Sequence, residues 1–115
     1  MAFPPELTHV PENTTSDTFV TVVDVVGSGF LNMIHLRCMD DNGEVKITID
    51  GFSETLTVPN ANRYLYFDLD PSINNIFEVS GNKNSLKCWF FTGLKVEHRI
   101  VLGSKMYTRV TYGIL

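Results

Sequence analysis

Residues 40–59 constrain this chain more than any other stretch, because two tight-turn signals stand one strand-length apart. Asn42-Gly43 and Asp50-Gly51 are both dipeptides that accept φ > 0 at successive positions, as a two-residue type I′ hairpin turn demands. Between them Val45, Ile47 and Ile49 alternate with Lys46 and Thr48, the period of a strand with one buried face. A two-residue turn also sets register. Around Asp50-Gly51, Ile49 falls opposite Phe52 and Val45 opposite Leu56; around Asn42-Gly43, Cys38 falls opposite Ile47 and Leu36 opposite Ile49. Slipping the second hairpin by one residue would turn Ser53, Thr55 and Thr57 against the apolar face. Glu54 is the misfit: it lands opposite Ile47 and marks a sheet edge or a bulge. The expectation is a three-stranded antiparallel meander.

The flanking segments extend that pattern. Residues 18–26 are rich in valine on both faces, with Asp24 the exception, which predicts a strand that is central or covered on both sides. Gly27-Ser28-Gly29 then turns the chain into residues 30–39; with Ser28-Gly29 as the loop, Val23 pairs with Ile34 and Thr21 with Leu36, and the meander grows to four strands. In residues 63–69, Leu65, Phe67 and Leu69 alternate with Tyr64, Tyr66 and Asp68. Residues 86–91 place Leu86, Cys88 and Phe90 on one face and Lys87, Trp89 and Phe91 on the other. Leu94, Val96, His98 and Ile100 alternate with Lys95, Glu97 and Arg99, and after Leu102-Gly103-Ser104 residues 105–114 form a last strand. Eight or nine strands, turn signals every 8 to 12 residues and no helix-period segment predict an all-β fold, an antiparallel β-sandwich or jelly-roll-like domain over residues 17–115. Residues 1–16 hold three of the five prolines, Pro4, Pro5 and Pro11. Proline cannot donate to a ladder, so an extended arm rather than a strand is expected there, lying along its own domain or a neighbour's through Phe3, Leu7 and Val10.

Composition narrows the chemistry. A net charge of −4, with nine basic residues scattered along the chain, argues against nucleic acid, whose phosphates call for clustered Lys and Arg. No apolar run approaches the roughly 18 residues of a membrane span, and the N-terminus lacks the basic start and apolar core of a secretory signal, which points to synthesis in a cytoplasm. Cys38 and Cys88 each sit within an apolar alternating segment and read as small buried hydrophobes; whether they pair stays open, and neither has a second Cys or a His at metal-ligand spacing. His9 belongs to the proline-rich segment, His35 to an outward position and His98 to the apolar face of Leu94 and Val96. Gly27-Ser28-Gly29 joins two strands and lacks the helix a nucleophile elbow needs, and Asp40-Asp41-Asn42-Gly43-Glu44 does not alternate its ligands as a calcium loop does. Asp24, Glu54 and Glu78 cannot be paired for acid–base work from the sequence. The expectation is no catalytic residues, no metal, no cofactor and no enzymatic activity.

Aromatics carry the binding signal. Tyr64 and Tyr66 share one face of their strand and Trp89 and Phe91 one face of theirs; such side chains stack on sugars, form subunit interfaces or fill the sandwich.

Three segments carry a resemblance: Val25-Val26-Gly27-Ser28-Gly29-Phe30-Leu31, then Val45-Lys46-Ile47-Thr48-Ile49-Asp50-Gly51, then Phe90-Phe91-Thr92-Gly93-Leu94-Lys95-Val96-Glu97. Their order resembles that of small bacteriophage structural proteins, in which a glycine-rich strand start, an Ile-Asp-Gly hairpin and a closing Phe-x-x-Ser-Leu-Lys-Val-Glu strand recur. The likeness covers roughly residues 20–100, with Gly93 standing where the closing motif carries serine. It implies a virion component made in the host cytoplasm: a capsid-decoration, head-fibre or tail-associated protein assembled as a homo-oligomer with other virion proteins. Phe3, Leu7, Val10, Tyr64, Tyr66, Trp89 and Phe91 are then the expected contact residues. The alternative is a carbohydrate-binding module, or the tip of a phage fibre that binds a host-surface glycan through the same aromatics.

Overall fold

The computed structural model describes residues 7–39, 42–58, 62–66, 89–103 and 105–115, with residue 39 and residues 62–66 described by their backbone. The strands are β1 (Leu7–Thr14), β2 (Val20–Val26), β3 (Gly29–Met39), β4 (Asn42–Ile49), β5 (Phe52–Val58), β6 (Asn62–Tyr66), β7 (Trp89–Phe90), β8 (Gly93–Leu102) and β9 (Lys105–Ile114). They form two antiparallel sheets. The first runs β1-β9-β3-β6, with the short β7 also paired to β3; the second runs β2-β8-β4-β5. Chain neighbours β1 and β2, β2 and β3, β3 and β4, and β8 and β9 lie in opposite sheets, whereas β4 and β5 pair directly. This is an all-β sandwich with the strand alternation of a jelly roll.

The Asp50-Gly51 hairpin forms in the expected register. Ile49 faces Phe52, Val45 faces Leu56 and Glu54 faces Ile47. Asp50 and Gly51 take φ of 52° and 87°, the left-handed pair of a primed turn. Glu54 is accommodated because β5 is an edge strand.

The other two hairpins do not form. Leu36 pairs with Thr108 and Arg63 rather than Ile49, and Val23 pairs with Val96 rather than Ile34. Alternation records which face of a strand is buried, and two strands facing each other across a sandwich satisfy it as well as two strands side by side. Gly43 therefore serves close packing rather than a turn: a Cβ there would lie 2.8 Å from Met106 Sδ and 2.9 Å from the Arg99 carbonyl oxygen.

Two further expectations are corrected. Residues 7–14 lie along their own domain, one of the two placements expected of an extended arm, but they do so as a strand, running along β9 from Leu7 opposite Gly113 to Thr14 opposite Met106. Pro11 fits because β1 is an edge strand, where a missing N–H need not break a ladder. β2, expected to be central or covered on both sides, is an edge strand of the second sheet, with Val20 and Val26 exposed. A register shift between Thr21 and Val23 turns the consecutive Val22 and Val23 inward together, and this bulge is what made both faces look apolar.

The core lies between the sheets. Leu31, Ile34, Leu36 and Val110 from the first meet Val45, Ile47, Leu56 and Val96 from the second. Each such side chain, fully buried, stabilises the fold by roughly 1.5–3 kcal/mol. Cys38 is fully buried among them, and Cys88 lies outside the described residues. The connection from β1 to β2 is tied to the second sheet: the Ile100 amide donates to the Ser16 carbonyl, and Arg99, ion-paired with Glu44, lies 4.8 Å from the centre of the Phe19 ring.

Candidate functional site

One end of the sandwich gathers the β2–β3 crossing, the β4–β5 turn, the β7–β8 loop and the C-terminal residue. Asp50 organises it. The left-handed turn aims its carboxylate at the β7–β8 loop, where it accepts hydrogen bonds from the amides of Phe91 (2.9 Å), Thr92 (2.7 Å) and Gly93 (3.2 Å) and from the Thr92 hydroxyl (2.9 Å). Desolvation acts to raise its pKa, but the hydrogen bonds from Thr92, Phe91 and Gly93 together outweigh it and hold the carboxyl below its ordinary value. With its lone pairs engaged in this way, Asp50 is a structural cap and a poor proton acceptor.

Backbone bonds extend the frame. The Gly27 amide donates to the Thr92 carbonyl and the Asp50 amide to the Gly93 carbonyl. The Ser28 hydroxyl donates to the Phe91 carbonyl, and the Leu115 amide to the Ser28 carbonyl. Hydrogen bonds thus tie together four segments of the chain: the β2–β3 connection, the β4–β5 turn, the β7–β8 loop and Leu115.

The side chains left over at this end are apolar. Val26 is 89% exposed, Phe52 77% and Phe91 71%. Leu115, Ile114 and Leu7 are exposed at the same end, so six of the nine exposed large hydrophobics among the described residues stand there. Leu7 belongs to this end because it pairs with Gly113, and Ile114 because it pairs with Gly29. Next to them the outer surface of the second sheet carries an open hollow of about 180 Å³ lined by Asp24, Val26, Thr48, Asp50, Thr92 and Lys95.

The structure divides the residues expected to make contacts. Phe91 and Leu7 are exposed at the apolar end. Val10 is partly buried against the core, and so is Trp89, whose ring centre lies 5.6 Å from that of Phe30. Phe3 lies outside the described residues; Tyr64 and Tyr66 stand opposite His35 and Met33 in the backbone register of β6, and their side chains lie outside the description. Val26, Phe52, Ile114 and Leu115 were not singled out in the sequence. Phe52 in particular pairs with the buried Ile49, so its position in the alternation points inward; being the first residue of an edge strand leaves it uncovered.

Among the described residues, the groups weighed in the sequence stand apart from one another. His98 is fully buried, with Nδ1 2.7 Å from the Thr108 hydroxyl. His9 is 2.9 Å from the Thr111 hydroxyl, and the His35 ring meets Tyr107 edge-on at 5.5 Å. Asp24 and Glu54 sit on opposite edge strands of one sheet, about 14 Å apart across three strand spacings, and Glu78 lies outside the described residues. Among the described residues, no three His, Cys, Asp or Glu side chains converge as metal ligands, and no helix is long and apolar enough to cross a membrane.

Compared with known proteins, the chain matches no family model, no curated protein and no solved structure.

Proposed function

We propose that this chain is a non-enzymatic structural protein of a virion, a capsid-decoration, head-fibre or tail-associated component, and that it works through subunit contacts made at its apolar end. The observation that carries the reading is the exposure of Val26, Phe52, Phe91, Ile114 and Leu115 at one end, on segments tied together by Asp50 and by backbone hydrogen bonds. Exposed apolar side chains concentrated in one region of a soluble protein mark a site of association. Segments tied together before contact limit the ordering cost of association. The resemblance of residues 20–100 to phage structural proteins supplies the virion setting, and the jelly-roll alternation suits it.

Light scattering coupled to size exclusion, over a range of concentrations, tests the association. A closed oligomer that dissociates in the Phe52→Ser, Phe91→Ser double variant supports the reading. A wild-type chain that stays monomeric at all concentrations and shows no retention on assembled capsids or tails overturns it.

A further inference from the structure

The two outer faces of the sandwich differ in how their charges are arranged. On the second sheet each cation has a carboxylate on the next strand: Lys95 opposite Asp24, Arg99 opposite Glu44 and Lys46 opposite Glu97. Directly opposed charges of this kind neutralise one another locally. On the first sheet the outward positions form cross-strand rows: His9, Thr111 and Met33; Pro11, Arg109 and His35; Asn13, Tyr107 and Arg37. Lys105 continues the outward side of β9. The inward neighbours Ile34, Leu36, Thr108 and Val110 are fully buried, which fixes the facing of these rows. None of the outward residues in these rows is Asp or Glu. A chain of net charge −4 therefore presents Arg37, Arg109 and Lys105 on one face with no acid opposing them among the described residues.

Four of these side chains form a two-by-two block. Arg37 and Arg109 occupy one diagonal, about 7–8 Å apart. Tyr107 and His35 occupy the other, their rings in edge contact at 5.5 Å. Arg37 is exposed, and Arg109 is half-buried with its Nε lacking an acceptor among the described residues. Guanidinium groups are planar forks that match carboxylates, and an aromatic ring beside them offers a surface to a sugar ring.

We propose that the outer face of the β1-β9-β3-β6 sheet binds an acidic polysaccharide, with Arg37 and Arg109 pairing its carboxylates and Tyr107 contacting its rings. A carboxylated sugar chain combines an anionic group with an apolar ring face in every repeat, as the block does. Nucleic acid fits less well, because three full cations release few counterions and leave binding weak at ordinary salt. An acidic peptide offers the charge without the ring face. This surface is separate from the apolar end, so it stands or falls independently of self-association.

The test is affinity electrophoresis through gels containing polygalacturonate, neutral dextran, oligothymidylate or polyglutamate. The wild type is expected to be retarded by polygalacturonate and not by dextran. Arg37→Gln and Tyr107→Leu should each weaken that retardation, the former by about tenfold as a charged hydrogen bond is lost. Lys95→Gln, the same charge change on the opposite, charge-paired face, should leave it intact. Arg37→Gln is the decisive variant for folding as well, since this exposed side chain can change without touching the core. Absence of retardation by polygalacturonate, equal or stronger retardation by oligothymidylate or polyglutamate, or equal loss in Lys95→Gln would overturn the proposal.

Discussion

His98 Nδ1 lies 2.7 Å from Thr108 Oγ1, a polar link between the two sheets within the largely apolar core of the described residues. His98 is on β8 and Thr108 on β9, strands that follow each other in the chain but belong to opposite sheets. Burial disfavours the charged imidazolium and pushes the His98 pKa down from 6.5 to about 4. The unfolded chain therefore binds a proton that the folded chain refuses. Stability is fully present above pH 6.5 and is lost as pH falls from there to about 4, by about 3 kcal/mol in all. Urea midpoints at pH 7.5 and 4.5 measure this, and His98→Gln should flatten the difference. Thr108→Val, which strands the buried ring nitrogen, should cost about 1–3 kcal/mol at pH 7.

Asp50 contributes in the opposite sense at lower pH. Its folded pKa lies below the unfolded value of 3.8, so the stability it provides is present above 3.8 and is lost as the pH drops through the folded value. Asp50→Gly keeps a residue suited to the left-handed turn but removes the acceptor of three amides. A loss of about 1–3 kcal/mol is expected, with faster amide exchange at Phe91, Thr92 and Gly93.

Two glycines separate crowding from backbone strain. Gly43→Ala forces a methyl against Met106 Sδ and the Arg99 carbonyl, and should destabilise by about 1–3 kcal/mol. Gly51→Ala meets open space and pays for the left-handed conformation alone, about 1–2 kcal/mol. A second substitution at Met106 to a smaller residue should rescue the first variant in part and the second not at all, as read by thermal denaturation.

Phe52→Ser and Phe91→Ser remove exposed rings that support no core contact. Each should leave the folding free energy within about 0.5 kcal/mol of wild type while weakening self-association. Denaturant unfolding run beside light scattering distinguishes the two effects. A large stability loss would assign these rings to packing.

Local backbone chemistry and periodicity were legible from the residues alone. Asp50-Gly51 suits its hairpin because the preference for two successive positive φ values resides in those two residues, and the strands on either side of it pair; Asn42-Gly43 carries the same preference and is drawn into β4 instead. The alternation of Leu94, Val96, His98 and Ile100 dictates one buried face, and β8 buries each of them. From such segments the all-β sandwich and the core position of His98 follow. Which strands are neighbours did not follow. The β3–β4 and β2–β3 connections could close as hairpins or cross the core with the same residues facing inward, and the difference lies in packing between distant segments. The two candidate surfaces have the same origin. Phe91 and Leu7 are far apart in sequence, as are Arg37 and Arg109; the pairing of β9 with β3 sets the two arginines on one face, and the pairings of β1 with β9 and of β7 with β3 bring Leu7 and Phe91 to one end. Scattered charges along a chain carry no record of the face they will share. The sequence by itself determined the strands from β3 onward that alternate cleanly, the buried sides of β4 and β8 and the Asp50 turn, but not that residues 7–14 pair as a strand or which side of β2 is buried. The tertiary structure decided the partners, because burial acts on faces wherever in the chain they come from.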